Sequence, residues 1–274
     1  MKNKKPLDII LIALTWGFAV LTLTTLIFII LHVLINGIPY LNLRLFEPRF
    51  TTENVSMFPA IMSTIFMVVL TLIMAVPLGI FTSIYLVEYV KSGNRLVMFI
   101  RSAAEMLAGI PSVVYGLFGM LLFVEFFGFG WSLIAGALTL AVMILPIVIR
   151  TTEEALKSVP NGFREGGFAL GGGQLRVVFK LVLPSAVPGI MAGVILAIGR
   201  IVGESAALVF TAGTVPQIPS QLTASARTLS VHMWALSGEA HHTGEAYATA
   251  VVLLLIVLTI NTASAIIAKL LTAK

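Results

Sequence analysis

Long apolar segments constrain this chain more than any other feature of its sequence. The first, Asp8–Ile35, holds about 28 mostly apolar residues. About 20 such residues span the hydrocarbon core of a bilayer as a helix, where every backbone polar group must bond internally. Only 11% of the 274 residues are charged, against roughly 25% in soluble domains. The sequence therefore predicts an all-α integral membrane protein.

Apolar runs, charges and turn residues together predict six transmembrane helices. The first run is too long for a signal peptide, whose apolar core has about 7 to 15 residues. The predicted helices are Asp8–Ile35, Pro59–Val87, Ala103–Phe127, Trp131–Ile149, Val187–Thr211 and Ala246–Leu271. We expect one part to comprise residues 1–57, a helix and an external loop. Residues 58–274 are expected to form the core, with a connecting segment at residues 151–185.

The basic residues predict the orientation of these helices. Of 17 Lys and Arg, 13 lie in the segments that this topology places inside, whereas Arg44, Arg49 and Arg227 lie in external loops. This bias predicts that both termini are cytoplasmic and that the protein spans the cytoplasmic membrane. Because the positive charges follow the topology, the net charge of +5 does not indicate nucleic-acid binding.

Two charged residues, Arg200 and Glu204, lie inside the fifth predicted helix. Each costs roughly 2.5 to 3.5 kcal/mol at the centre of a membrane helix. Residues four apart share a helix face, so the two can bridge. One interpretation is a structural ion pair. The other is a solute pathway in which Arg200 binds an anion oxygen and Glu204 orients it. The neutral pair would need further donors, for which Ser205, Ser112 and basic residues of a second chain are candidates.

The connecting segment is long for a link within a helical bundle. Pro160 is expected to end one helix, Asn161 to begin a short second one, and Gly171 to Gly173 to end that. Two interpretations remain open at this point: an amphipathic connector at the membrane surface, or a docking helix for a cytoplasmic partner.

The sequence predicts neither a metal site nor a nucleotide site. The chain has no cysteine, and His241, His242, Glu239 and Glu245 resemble a metal cluster by composition alone. Gly167 and Gly172 have the glycine spacing of a phosphate loop, but Gly173 and Gln174 stand where Lys and Ser or Thr are required. We interpret Gly189, Gly193 and Ala197 as a packing face, since small residues let membrane helices approach closely.

The connecting segment resembles the signature of membrane subunits from binding-protein-dependent, ATP-driven importers. That signature is Glu-Ala-Ala, three residues, Gly, nine residues, then Ile-x-Leu-Pro. Here Glu165-Gly166-Gly167 is followed by three residues, Gly171, nine residues and Leu181-Val182-Leu183-Pro184. The spacing matches throughout. Glycine replaces both alanines and leucine replaces isoleucine, which lowers the helix propensity by about 1 kcal/mol at each glycine.

Within that family, the chain is most similar to the A-type membrane subunit of phosphate importers. The similarity rests on Leu107–Phe118, which reads LAGIPSVVYGLF, and on Gly199–Ser205, which reads GRIVGES. The resemblance implies a type I ABC importer permease (MetI-like) fold. It also implies a phosphate pathway past Arg200, Glu204, Ser205 and Ser112. The residues implied in ATPase coupling are Arg164, Glu165, Gly166, Gly167, Gly171, Leu183 and Pro184.

The resemblance further implies a set of partners. They are a homologous C-type permease subunit, a dimer of cytoplasmic ATPase subunits that use ATP-Mg, an extracytoplasmic phosphate-binding protein, phosphate and the lipid bilayer. This chain would be a non-catalytic subunit without a cofactor of its own. The alternatives are transport of another small oxyanion such as molybdate or sulfate, an ion-coupled secondary transporter with Glu204 as its proton site, and a membrane scaffold.

Overall fold

The computed structural model describes residues 6–90 and 94–272, and in these ranges the chain forms eleven α-helices and no strand. The helices are α1 (Pro6–Gly37), α2 (Phe58–Ile84), α3 (Arg95–Ala108), α4 (Ser112–Gly119), α5 (Leu133–Ser158), α6 (Asn161–Ala169), α7 (Gln174–Val177), α8 (Leu183–Gly203), α9 (Ala206–Thr211), α10 (Leu229–Ser237) and α11 (Thr243–Thr272). Wider π-helical turns continue α2 and α4 and join α7 to α8. The predicted all-α fold is confirmed.

Within the described ranges, five helical segments are long and apolar enough to cross a membrane, and a bent pair makes a sixth if counted as one span. The five are Leu11–Tyr40, Phe58–Tyr89, Leu133–Ser158, Gln174–Gly203 and Thr243–Ala263. Some of the basic residues that predict the orientation lie outside the described residues, namely Lys2, Lys4, Lys5, Lys91 and Lys274.

The third predicted helix, Ala103–Phe127, is wrong as a single helix. The chain bends by 104° between Val97–Ala108 and Ser112–Phe126. Gly109 and Ile110 donate their N–H groups to carbonyls three residues back, which closes α3. Pro111 has no N–H and a φ of −60°, so it starts a new helix and does not extend the old one.

The fifth predicted helix also differs from the structure. Its apolar span begins earlier, at Gln174, and ends at Gly203. Glu204 has an extended backbone, with φ −76° and ψ 125°, and a separate short helix follows. The predicted continuous helix Val187–Thr211 is therefore interrupted just after Arg200.

Helix α5 lies at the centre of the bundle and packs against α2 and α8. In its apolar stretch, 61% of the residues are buried by the rest of the protein, whereas none are buried in that of the first span. Close contacts at glycines hold the three helices together: a Cβ at Gly189 would lie 2.7 Å from the Cβ of Ala155, and one at Gly193 would overlap Thr151. Ala197 is fully buried. The predicted packing role of this face is confirmed.

A fully buried histidine anchors the segment between α9 and α11. The Nδ1 atom of His232 lies 3.4 Å from a guanidinium nitrogen of Arg227. Arg227 also donates to the Thr214 carbonyl at 2.7 Å and lies over the ring of Phe50. Burial first, and the charge of Arg227 second, lower the pKa of His232 from 6.5 to about 4. His232 is therefore neutral near pH 7.

We expect Gly193→Val to destabilise the bundle, because the new side chain overlaps Thr151 on α5. Overpacking of this kind typically costs about 1 to 3 kcal/mol. The midpoint of thermal unfolding in detergent should fall by several degrees. Gly199→Ala on the same helix is the control, since nothing lies within 4 Å of its added Cβ. Equal midpoints for both variants would contradict the packing role.

We also expect acid to destabilise the protein through His232. The unfolded chain binds the imidazole proton at a higher pH than the folded chain, so stability is complete above about pH 6.5 and falls as the pH approaches 4. A shift of this size corresponds to about 3 kcal/mol. The measurement is the unfolding midpoint as a function of pH for the wild type and His232→Gln. An identical acid slope in the variant would refute the assignment.

Candidate functional site

Arg200 lies in the last turn of α8, on a face that no other part of the described chain covers. Its neighbours on this face are Leu196, which is 60% exposed, and Gly199 and Gly203, whose added Cβ atoms would meet nothing within 4 Å. These positions share a side of the helix by their spacing. Arg200 is exposed, and within residues 6–90 and 94–272 its guanidinium has no hydrogen bond or ion pair. We call these four residues the Arg200 face.

Glu204 is directed away from Arg200. Its carboxylate accepts the backbone N–H of Ala207 at 3.2 Å and so caps the start of α9. Its carbonyl accepts the hydroxyl of Ser230, which ties the helix break to α10. The expected bridge between Arg200 and Glu204 is therefore absent from the described structure. The two residues would share a helix face only if α8 continued through Glu204, which instead has an extended backbone.

The two serines predicted for the site lie at breaks in the helices. Ser205 is half-buried at the break between α8 and α9, and half-buried Ser112 is the first residue of α4, just after the bend. The structure brings neither side chain into hydrogen-bonding contact with Arg200.

Sequence reasoning missed the role of Tyr115 at the bend before α4. Its buried hydroxyl donates to the Leu107 carbonyl at 2.8 Å and so spans the bend between α3 and α4. Tyr115 lies in the segment that carried the family resemblance, but its sequence gives no sign of which helix it faces.

The connecting segment contains the predicted short helix, α6. Helix α6 ends at Ala169, and Gly171 then adopts a left-handed φ of +77°. The N–H groups of Gly171 and Gly172 return to the carbonyls of Phe168 and Gly167, at 2.9 and 3.0 Å. This is the glycine-ended helix terminus that the spacing predicted.

The two glycines that replace the signature alanines have different surroundings. A Cβ at Gly167 would lie 2.8 Å from Leu181 and 2.9 Å from Val177, so this glycine lets α6 pack closely on the following helix. A Cβ at Gly166 would meet nothing within 4 Å. Close packing therefore requires glycine at position 167 but not at position 166.

The remaining predicted coupling residues lie on both sides of the segment. Glu165 is exposed on α6, Leu183 packs partly buried against the cluster around Ile84 and Leu156, and Pro184 is exposed in the first turn of α8. Phe163 and Leu170, which are 47% and 90% exposed, add apolar surface to the same segment.

Arg164 binds residues from two other helices. Its Nη2 atom lies 2.6 Å from Oε1 of Glu88 and its Nε lies 3.2 Å from Oε2, which is a bidentate ion pair. Nη1 and Nη2 also donate to the carbonyls of Val159 and Leu156, both at 2.9 Å. Sequence reasoning missed this contact, because the two partners lie 76 residues apart.

A second buried carboxylate, Glu153, joins α3 to α5. It accepts from Arg101 at 3.0 Å and from Lys157 at 2.7 Å. Glu153 and Glu88 have side chains that are each 7% exposed. The two carboxylates are matched in burial, although the cations of Glu153 are more exposed than Arg164, and they connect different helices.

Among the residues that the structure describes, no group of three or more His, Asp or Glu side chains is placed to hold a metal ion. His242 approaches Glu239 and Glu245 only at 3.9 and 3.8 Å.

Comparisons with known proteins agree with this architecture. Residues 75–274 match the family model described as "Binding-protein-dependent transport system inner membrane component". A probable ABC transporter permease protein, YqgI of Bacillus subtilis, is 36% identical over 74% of this chain and 74% of its own. The phosphate transport system permease protein PstA of Pasteurella multocida is 36% identical over 77% of this chain and 74% of its own. PstA 1 of Mycobacterium tuberculosis is 35% identical over 71% of this chain and 64% of its own.

Solved structures show the same fold at low sequence identity. A chain of a bacterial alginate ABC transporter, in complex with an alginate-bound periplasmic protein, matches 96% of this chain and 96% of its own length with a TM-score of 0.68 and 18% identity. A chain of the inward-facing MetNI methionine ABC transporter matches 78% of this chain and 93% of its own with a TM-score of 0.62 and 19% identity. These matches confirm the predicted MetI-like permease fold.

The family model matches residues 75–274, which include the interrupted helices and α6. Relatives named as PstA confirm the similarity to A-type phosphate permeases. The chain belongs to the family of inner-membrane components of binding-protein-dependent transport systems.

Proposed function

We propose that this chain is the non-catalytic permease subunit of an ATP-driven phosphate importer in the cytoplasmic membrane, with both termini cytoplasmic. The proposal rests on the Arg200 face. Arg200 is the one cation of α8, and it has no acidic partner among the described residues. A charge in that position is costly unless water, an anion or another subunit meets it.

The guanidinium suits a phosphate oxygen because its planar fork can donate two parallel hydrogen bonds. One arginine does not neutralise a dianion, so the proposal includes donors from a homologous C-type permease across the Arg200 face. Gly199 and Gly203 would let that subunit's backbone approach closely. Ser112 and Ser205 are proposed pathway residues beside the two helix breaks. Glu204 caps α9 in this role and repels an anion that has passed Arg200.

The connecting segment is the proposed point of ATPase coupling. Exposed Glu165, Phe163 and Leu170 offer a surface on α6 for a cytoplasmic ATPase dimer, which would hold ATP-Mg. An extracytoplasmic phosphate-binding protein would deliver the anion to the opposite side. The supporting observations are the signature spacing, the helix that it forms and the relatives named as phosphate permeases.

We expect Arg200→Gln to abolish phosphate uptake, because the neutral amide removes the charge and the fork from the span. Arg200→Lys should retain only weak uptake, since an ammonium does not offer the planar pair of donors. The measurement is radiolabelled phosphate uptake into proteoliposomes that hold the whole complex. Arg49→Gln, in an exposed loop, is the control for loss of one positive charge. Wild-type uptake by Arg200→Gln would refute the role of Arg200.

The same uptake assay tests the other candidate functions. Sulfate and molybdate compete only if the pathway accepts a broader class of oxyanion. Uptake that stops when the proton gradient is collapsed, with ATP present, would indicate a secondary transporter instead. Stable copurification with partners but no solute flux would indicate a scaffold.

We expect Gly171→Asp to uncouple phosphate uptake from ATP hydrolysis, because the left-handed φ of +77° strains any residue with a Cβ at the end of α6. Gly166→Ala is the matched control within the same segment. Its Cβ enters open space, and alanine should stabilise α6 by about 1 kcal/mol. The measurement is phosphate transported per ATP hydrolysed. Normal coupling in Gly171→Asp would count against a docking role for the segment.

A further inference from the structure

We infer that Glu88 is a positioning residue for energy coupling. Through Arg164, its carboxylate ties α6 to the ends of α2 and α5, so that movement of α6 is passed to the membrane helices. This inference rests on the proposed function, in which α6 docks on an ATPase.

The tie consists of one guanidinium that joins three helices. Arg164 projects from α6 and binds the carboxylate of Glu88, in the π-helical turn that ends the second span. The same guanidinium donates to the carbonyls of Leu156 and Val159 at the end of α5. The Leu156 carbonyl also accepts the N–H of Val159, so Arg164 adds a second bond where α5 ends. Gln174 adds a bond at 2.6 Å from the start of α7 to the Glu88 carbonyl.

The pair is shielded from solvent. The side chain of Arg164 is 18% exposed and that of Glu88 is 7% exposed. Removing one partner from such a pair leaves an unpaired buried charge, which is strongly unfavourable. The bidentate geometry also fixes the direction of the guanidinium plane. The contact therefore resists both separation and rotation of α6.

The backbone of the connecting segment is too flexible to transmit movement of α6 by itself. Six of the twelve residues 162–173 are glycine, and glycine has more backbone freedom than any other residue. A displacement of α6 would be absorbed in such a chain unless a side chain connects α6 to its neighbours. Arg164 and Glu88 supply that connection, and Gly167 adds a close contact with Val177 and Leu181.

The test is Glu88→Gln in the full complex, reconstituted with its partner subunits in proteoliposomes. The amide keeps the size of the side chain and loses its charge. We expect the complex to assemble and to hydrolyse ATP, but the phosphate transported per ATP hydrolysed should fall at least about tenfold, or about 1.4 kcal/mol.

The matched control is Glu153→Gln. Glu153 has the same exposure as Glu88 and pairs with two cations, but it ties α3 to α5 and does not contact α6. Both variants should lower the unfolding midpoint. Only Glu88→Gln should lower the ratio of phosphate to ATP.

Two outcomes separate the inference from the proposed function. If the wild type transports phosphate and Glu88→Gln loses ATP hydrolysis and transport in parallel, or keeps the wild-type ratio, Glu88 has no positioning role. If the wild-type complex hydrolyses ATP but moves no phosphate, the proposed function itself is wrong.

Discussion

Close packing at small residues is the constraint on which the rest of this structure depends. Lipid is as apolar as leucine, so membrane helices gain little by hiding apolar side chains from one another and associate through close van der Waals contact. Helix α5 achieves this contact with α8 at Gly189 and Gly193, and with α2 at Gly79, whose added Cβ would lie 2.6 Å from Val148. Ser83 reinforces the second contact with a 2.8 Å hydrogen bond to the Ile149 carbonyl. With α5 held on both sides, α1 can remain a peripheral span.

The helix breaks expose backbone groups that need hydrogen-bond partners. Unpaired backbone groups are costly in lipid and are tolerated where protein or a water-filled cavity meets them. The bend at Gly109–Pro111 is covered by the Tyr115 hydroxyl, and the break at Glu204 is covered by its own carboxylate and by Ser230. Arg200 therefore lies next to two breaks that are satisfied internally. Its own donors remain free for another chain or a solute.

Much of the fold could be predicted from the sequence, because helices in membranes are set by the length of apolar runs. The first, second and sixth predicted spans agree with α1, α2 and α11 within a few residues. The breaks could not be predicted as reliably. Pro111 marks the bend, but its angle of 104° depends on how α4 packs against α9, where Gly116 contacts Ala207. The interruption at Glu204 had a weaker signal, a glycine before Glu and Ser.

The candidate site was predictable to the extent that its chemistry is local. The short helix of the connecting segment and its glycine terminus follow from spacing along the chain. The ion pair of Glu88 was missed because its partner, Arg164, is distant in sequence.

The internal hydrogen bonds of Arg164 also determine how α6 would recognise another protein. Its three side-chain nitrogens are all bonded within the chain, so its charge is not offered outward. Apart from Glu165, the exposed surface on α6 and just after it includes aromatic and aliphatic side chains, at Phe163 and Leu170. Contact with such a surface is driven by the removal of apolar area from water, which weakens on cooling and responds little to salt. A partner seated on these apolar side chains would therefore be bound more loosely in the cold.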